Sequence, residues 1–441
     1  MELPLGSSTN HSLYDVLDDL VDDRFGIIGQ VQEFPREAGA PAFFHFYARS
    51  CNTSAFSCHK NFGNAGGASA DRLIALGKAV GEAVERYCSA IYQVEEFPFT
   101  SFKAASFPCV EPWRFALYNQ QQYQKPKFPY SPFDSNSFVR WTPAYDLISN
   151  EPCYVPAAMV FLPYYFNNEI GERAIVQPIS TGLACHSSWE EAALSGLCEV
   201  IERDAFTITW QGFLKRPQIF LESLTEENQD LVKRFEGSGN SVTLWDITMD
   251  TGVPIIMGAL RNSHIEAPAL VVAASADLDP ERAVRKCLEE LAHTRRLCQS
   301  LKLTMPAITL EPGYENIIHQ DDHIRFYCDW PNIQLADFLF QSEKRRDFQE
   351  IKNRSSGNHR QDLDLLLNTI EALGHRVLLA DVTTPDIAHI GLSVVRAIIP
   401  GFHPLFMGHQ FRALGGSRLR ALSQKLAYGN VEENPAPHPF P

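Results

Sequence analysis

Between residues 71 and 92 apolar side chains return every three or four positions, the period of a helix that buries one face. The same period recurs over 189–210, 281–301 and 361–373, the last closed by Gly374. Asp279 and Pro280 open the third of these helices as an N-cap carboxylate and a first-turn proline. Short apolar runs predict strands over 25–32, 42–48, 138–147, 154–162, 242–247, 254–260, 269–275, 376–382 and 392–399. A loop at 35–41 breaks the first pair, and a Ser-Asn-Glu-Pro turn at 149–152 makes a hairpin of 138–147 and 154–162. The run Asn61-Phe-Gly-Asn-Ala-Gly-Gly-Ala-Ser69 reads as a glycine-rich loop that offers N–H groups to an anion. Residues 179–184 read as a small-residue lead into the second long helix, and 217–235 as a surface helix. Residues 1–22 read as acidic and loosely held, 93–137 as irregular connection, and 302–352 carry no clear period.

A strand or small-residue segment followed by an acidic helix recurs about three times. This predicts a single α/β domain of mixed β-sheets, with the acidic helices lining a common cleft. The expected organisation is an N-terminal extension at 1–24 and one domain over 25–441. Composition agrees, with 45% apolar and 21% charged residues. A net charge of −15 argues against broad nucleic-acid binding. No apolar run approaches ~20 residues, so no membrane span is expected. The N-terminus lacks a basic and apolar signal pattern, so a reducing cytoplasm is the default setting. Ten cysteines are present without a CxxC pair, so free thiols are expected rather than structural zinc.

The chemistry concentrates in two ExxER patterns. Glu82, Glu85 and Arg86 lie in one helix, Glu199, Glu202 and Arg203 in another, each among apolar neighbours. Carboxylates at i and i+3 share a helix face and can serve one cation or two neighbouring ones. An adjacent guanidinium can neutralise phosphate oxygens. One such pattern is ordinarily a surface ion pair. Two copies in apolar helices bring a magnesium and polyphosphate site level with that reading. Glu290 and His293 repeat the spacing in the third helix, whereas Glu289 sits about 100° round it and points elsewhere. Prolines at 435, 437, 439 and 441 favour an extended rod. Such a rod would deliver a terminal carboxylate to a defined place.

Taken together, these segments resemble the YcaO superfamily of ATP-dependent enzymes that activate peptide backbone amides. The matching stretches are GEAVERY at 81–87, STGLA at 180–184, EAALSGLCEVIERDAF at 191–206 and DLDPERAVRKCLEELAHTRR at 277–296. DVTTPDIAHIGLSVVRAIIPGFHPL at 381–405 and the PxPxPxP ending complete the set. The ending is similar to that of the azoline-forming cyclodehydratase D proteins of the streptolysin S type, which act in ribosomal peptide and microcin biosynthesis. The resemblance implies ATP and Mg2+ as cofactors, with Glu82, Glu85, Glu199 and Glu202 as metal ligands. It implies nucleotide contacts from Arg86, Glu191, Arg203, Glu290, His293 and Arg396, and catalytic roles for Arg203 and the carboxylate of Pro441. The implied reaction begins when a Cys, Ser or Thr side chain attacks the preceding carbonyl. The oxyanion then takes the γ-phosphoryl group, and loss of phosphate leaves an azoline. The implied partners are a precursor peptide, a separate leader-binding protein of ubiquitin-activating-like type, and a second copy of the chain. Lys78 and His293 depart from the family's motifs, which often carry serine and glutamine there. Thioamide or amidine formation, or a non-catalytic adaptor, are the alternatives.

Overall fold

The structure is a computed structural model that describes residues 13–37, 39–429 and 432–441. Three sheets carry the chain. The first is antiparallel and made of β1 (Ile28–Phe34), β2 (Phe44–Ser50) and β3 (Asn64–Ser69), in that order. Helix α1 (Arg72–Cys88) follows it. The second sheet is built on β4 (Phe99–Ser101), β5 (Phe138–Asp146), β6 (Glu151–Pro156) and β7 (Leu183–His186), and β7 leads into α2 (Trp189–Gln211). The third begins with β8 (Gln218–Ile219) and, beyond α3 (Glu226–Glu236), continues through β9 (Asn240–Asp246), β10 (Ile255–Asn262) and β11 (Leu270–Ala276). Helix α4 (Pro280–Thr304) follows β11. After β12 (Arg345–Arg346) and α5 (His359–Ala372), β13 (Leu378–Asp381) and β14 (Ser393–Ile398) return to the second sheet, whose order is β4-β5-β13-β14-β7 with β6 on β5. The third sheet runs β11-β10-β9-β8-β12.

Three strands therefore feed three long helices: β3 into α1, β7 into α2, β11 into α4. Each helix starts on a side-chain cap, with Asp71, Ser188 and Asp279 accepting backbone N–H groups of their first turns. Each then packs on more than one sheet. α1 lies on β2 and β3 and touches β7. α2 lies on β14 and β7 and touches β11. α4 lies on β11 and β10 and touches β3. The helices thus bind the sheets into one body.

Several sequence expectations change. The glycine-rich stretch at 61–69 is largely strand β3, paired with β2, because its small residues let two elements approach it. A Cβ on Gly66 would stand 2.5 Å from His293 Nε2. One on Gly67 would stand 2.7 Å from Ala79 N and closer still to the Ala75 carbonyl. Residues 179–184 run into strand β7, since Leu183–His186 pair with Ser393–Arg396 of β14. The helix expected over 217–235 is only half formed. Pro217 precedes the short strand β8, which pairs with β9 and β12, and the helix starts after Thr225. The hairpin holds, but β6 starts earlier, because Asn150 turns the chain at φ 58°. Of the acidic N-terminus, residues 1–12 lie outside the described residues. Val16 and Leu20 are buried in the core with α1, so residues 13–21 are docked. All ten cysteines are free thiols. Among the described residues no helix is long and apolar enough to cross a membrane.

The close seat of β3 on α1 yields a prediction. Gly67→Ala must push the strand off the helix backbone, and should cost about 1–3 kcal/mol, the usual scale of overpacking. Chemical denaturation of the variant beside the wild type measures it.

Candidate active site

The acidic helices are knitted to the strands by their carboxylates. Glu82 Oε2 accepts the Gly66 N–H at 2.9 Å, and Glu85 Oε1 accepts the Cys185 N–H at 3.0 Å. Glu199 Oε2 accepts the Gly182 N–H at 2.9 Å, and Glu202 Oε2 accepts the Ala276 N–H at 3.2 Å. Gly182 can do this because it is glycine. Its φ is +89°, and a Cβ would strike the Ala397 carbonyl. Glu85 of α1 thereby reaches β7, and Glu202 of α2 reaches β11, so the two ExxER helices meet across the strands that introduce their neighbours. The expected free N–H cradle at 61–69 is not formed. The Gly66 N–H is already committed to Glu82.

The guanidinium groups sit between these carboxylates. Arg86 Nη2 meets Glu82 Oε1 at 3.1 Å. Arg203 lies 3.4 Å from Glu199 Oε1 and 3.5 Å from Glu202 Oε1, and its Nη1 donates to the Pro441 oxygen at 2.8 Å. Arg396, buried on β14 beside Glu199 and Arg86, has Nε and Nη1 without a partner. Burial lowers this guanidinium to about 10.

The carboxyl groups feel the crowding. Burial, with the charges of Glu82 and Glu199, pushes Glu85 well above the usual carboxylate range. Burial and Glu199 push Glu202 up to about 8 against the pull of Arg203. Glu290 goes the other way. Burial opposes its charge, but the neighbouring His293, with Lys78 and Arg203 behind, holds it at about 2. His293 faces Glu290 Oε1 at 3.8 Å and is raised in turn, the carboxylate outweighing burial. Glu289 points away from the cleft. It is buried, accepts from Ser69 Oγ at 2.6 Å and pairs with Lys78 Nζ at 2.6 Å, closing α4 onto β3 and α1. Lys78 is thus committed to a bridge between helices, a partnership that no spacing along the chain could show.

Glu191 stands apart from this group. It lies two turns before Glu199, about 12 Å along the axis of α2. It accepts from Ser187 Oγ and pairs with His359 Nδ1 at 3.0 Å. Cys185, Cys198 and Cys287 line the same region, but burial pushes their thiols up, which leaves them protonated and inert.

The C-terminal strap ends in this group. Phe440 is fully buried against Phe206, with ring centroids 4.1 Å apart, and Arg203 lies over the Phe440 ring at 4.5 Å. His438 stacks on His323 at 3.9 Å, accepts the Phe440 N–H on Nδ1 and donates from Nε2 to the Phe406 carbonyl.

Hard carboxylate oxygens and buried guanidinium groups with unpaired N–H suit a divalent cation carrying a polyphosphate. A cation would relieve the crowding at Glu85 and Glu202, and an anion would satisfy Arg396. Among the described residues no three acidic, histidine or cysteine side chains converge closely enough to hold a bare ion, so phosphate oxygens would have to complete the shell. The chain belongs to the family described as YcaO cyclodehydratase, ATP- and Mg2+-binding, which matches residues 66–403. ATP and Mg2+ are the cofactors of that family. The fold is similar to a solved heterocyclase in complex with substrate and cofactor, at TM-score 0.78 and 22% identity, covering 96% of this chain and 56% of that one. It is also similar to a YcaO from Methanopyrus kandleri bound with AMPPCP and Mg2+, at TM-score 0.61 and 19% identity, covering 85% and 86% of the two chains. An uncharacterized protein of Methanothermobacter thermautotrophicus is 30% identical over 60% of this chain and 66% of its own length.

The strap histidines generate a prediction. Burial, with Arg203 nearby, holds His438 at about 4, and burial with Arg412 and His438 holds His409 at about 3. In the unfolded chain each titrates near 6.5. The unfolded state therefore binds more protons between these values. The stability these groups contribute is complete above pH 6.5 and falls below it by about 1.4 kcal/mol per pH unit for each. Denaturation midpoints from about pH 7 to about pH 5 should drop in the wild type, with a shallower slope in His409→Phe.

Proposed function

We propose that the chain is an ATP-dependent peptide backbone cyclodehydratase. It would convert Cys, Ser or Thr of a ribosomal precursor peptide into thiazoline or (methyl)oxazoline. The observation that carries this reading is Arg203, which stands between Glu199 and Glu202 and takes the Pro441 oxygen at 2.8 Å. ATP with Mg2+, when bound, would supply the phosphoryl group that turns the amide oxygen into a leaving group. Glu82, Glu85, Glu199 and Glu202 would hold the metal. Arg86, Arg203 and Arg396 would spread the negative charge that develops on phosphoryl oxygens, with Glu290 and His293 facing them from α4. Glu191, in the first turn of α2, would contact the rest of the nucleotide. The Pro441 carboxylate, held by Arg203, would take the proton of the attacking side chain or orient it. A separate leader-binding protein would capture the precursor, a reading supported by the likeness of the fold to the E. coli microcin synthetase McbBCD complex.

Calorimetry of Mg-ATP binding tests the cleft. Glu199→Gln and Glu202→Gln should each weaken binding by at least about tenfold, as loss of a charged contact worth roughly 1.5–3 kcal/mol requires. Unchanged affinity in both would move the nucleotide elsewhere. Absence of binding by the wild type would favour the adaptor reading.

Removing Pro439–Pro441 should leave Mg-ATP affinity nearly intact while lowering turnover by about 10²–10⁴-fold, the range of general acid–base catalysis. Turnover is read by mass with the precursor and partner present. A product lacking one water supports the azoline. Sulfur in place of oxygen would replace it with a thioamide.

A further inference from the structure

The strap is held more tightly than burial alone requires. A segment with alternating prolines has few N–H groups to give, so carbonyls are its main handles. In an extended left-handed form, at three residues per turn, successive carbonyls point in different directions. Four of the five carbonyls from Asn434 to His438 are each taken by a side chain. Arg412 Nη1 donates to Asn434 at 3.1 Å. Trp210 Nε1 donates to Ala436 at 3.1 Å, Tyr327 Oη to Pro437 at 2.6 Å, and His323 Nδ1 bonds His438 at 3.2 Å. The donors come from α2, from the segment at 323–327 and from the turn at 409–412, so they surround the strap.

One of these groups holds the strap at a cost. His323 Nε2 is buried without a partner. An unsatisfied buried nitrogen costs about 1–3 kcal/mol, and an aromatic hydrocarbon would fill the same space without that loss. What the imidazole adds is the hydrogen bond to a particular carbonyl.

We infer that Tyr327 and His323 are positioning residues that lock the register of the 434–441 strap and so set the Pro441 oxygen on Arg203. This rests on the reading of the acidic cleft as the active site. An extended segment of this kind advances about 3.1 Å per residue. A slip of one residue would therefore take the Pro441 oxygen from 2.8 Å to beyond hydrogen-bond reach of Arg203. Arg203 would then be free to collapse onto Glu199 and Glu202. The two residues act through the strap and touch no reacting atom.

The test uses the full chain with tryptophan and arginine labelled with nitrogen-15. The Trp210 indole N–H, assigned by its loss in Trp210→Phe, reports seating of the strap. The Arg203 Nε–H, assigned by its loss in Arg203→Lys, reports where the strap ends. Tyr327→Phe removes one hydroxyl, His323→Phe removes one donor and keeps a ring to stack, and a glycine inserted after Pro437 shifts the register while deleting no side chain. The other indole signals show whether each variant is folded. In folded Tyr327→Phe, His323→Phe or the insertion variant, the Arg203 signal should leave its wild-type position. Arg203 signals that stay at the wild-type position in every folded variant would overturn the inference and leave the clamps as packing only. Mg-ATP affinity, measured in the same samples, should stay within about threefold of the wild type. Failure of the wild type itself to bind Mg-ATP would overturn the reading of the cleft instead, and the register result would still stand.

Discussion

Arg203 is the constraint on which the site depends. A guanidinium with five donors in a fixed plane can face several oxygens at once, and this one faces Glu199, Glu202 and Pro441 while lying over the Phe440 ring. Three parts of the chain far apart in sequence meet there: the middle of α2, the last residues of the strap and, through Glu202, the end of β11. Without a cation at that point, Glu199 and Glu202 would repel one another in a poorly solvated place, and the strap would have nothing to end on.

The carboxylates do structural and chemical work together. Each of the four on α1 and α2 uses one oxygen to hold a backbone N–H of a strand layer, and Glu289 on α4 does the same for β3 through Ser69. α1 thus grips β3 and β7, α2 grips the approach to β7 and the end of β11, and α4 returns to β3. The acidic helices fasten the three sheets to each other at the place where their remaining oxygens are gathered. Burying so much like charge raises Glu85 and Glu202. A divalent cation beside them would favour their ionised form.

The departures at Lys78 and His293 find a common explanation. Lys78 bridges α1 to Glu289, and His293 leans on Gly66 and holds Glu290 ionised. Both changes fall on the seam between α1, β3 and α4, where a longer or charged side chain on one side has an acidic partner on the other. They reinforce the seam and leave Glu82, Glu85, Glu199 and Glu202 in place.

The sequence by itself determined the long helices, most strands and the two acidic motifs, because helical period, caps and turn residues act over a few positions. It also determined that the strap would be stiff, since proline fixes φ locally. Small residues misled it. Gly66 and Gly67 read as a loop, yet they form a strand, because the reason for glycine there is the proximity of His293 and of the α1 backbone, which no local pattern contains. Leu183–His186 became a strand only through pairing with residues about two hundred positions later. That Glu191 faces His359 rather than the arginines, that Lys78 meets Glu289, and that Tyr327 and His323 hold the strap were decided by tertiary structure alone. A carboxylate's chemistry is written in its residue type. Its partner is set by distance in space, and only packing of the three sheets supplies that distance.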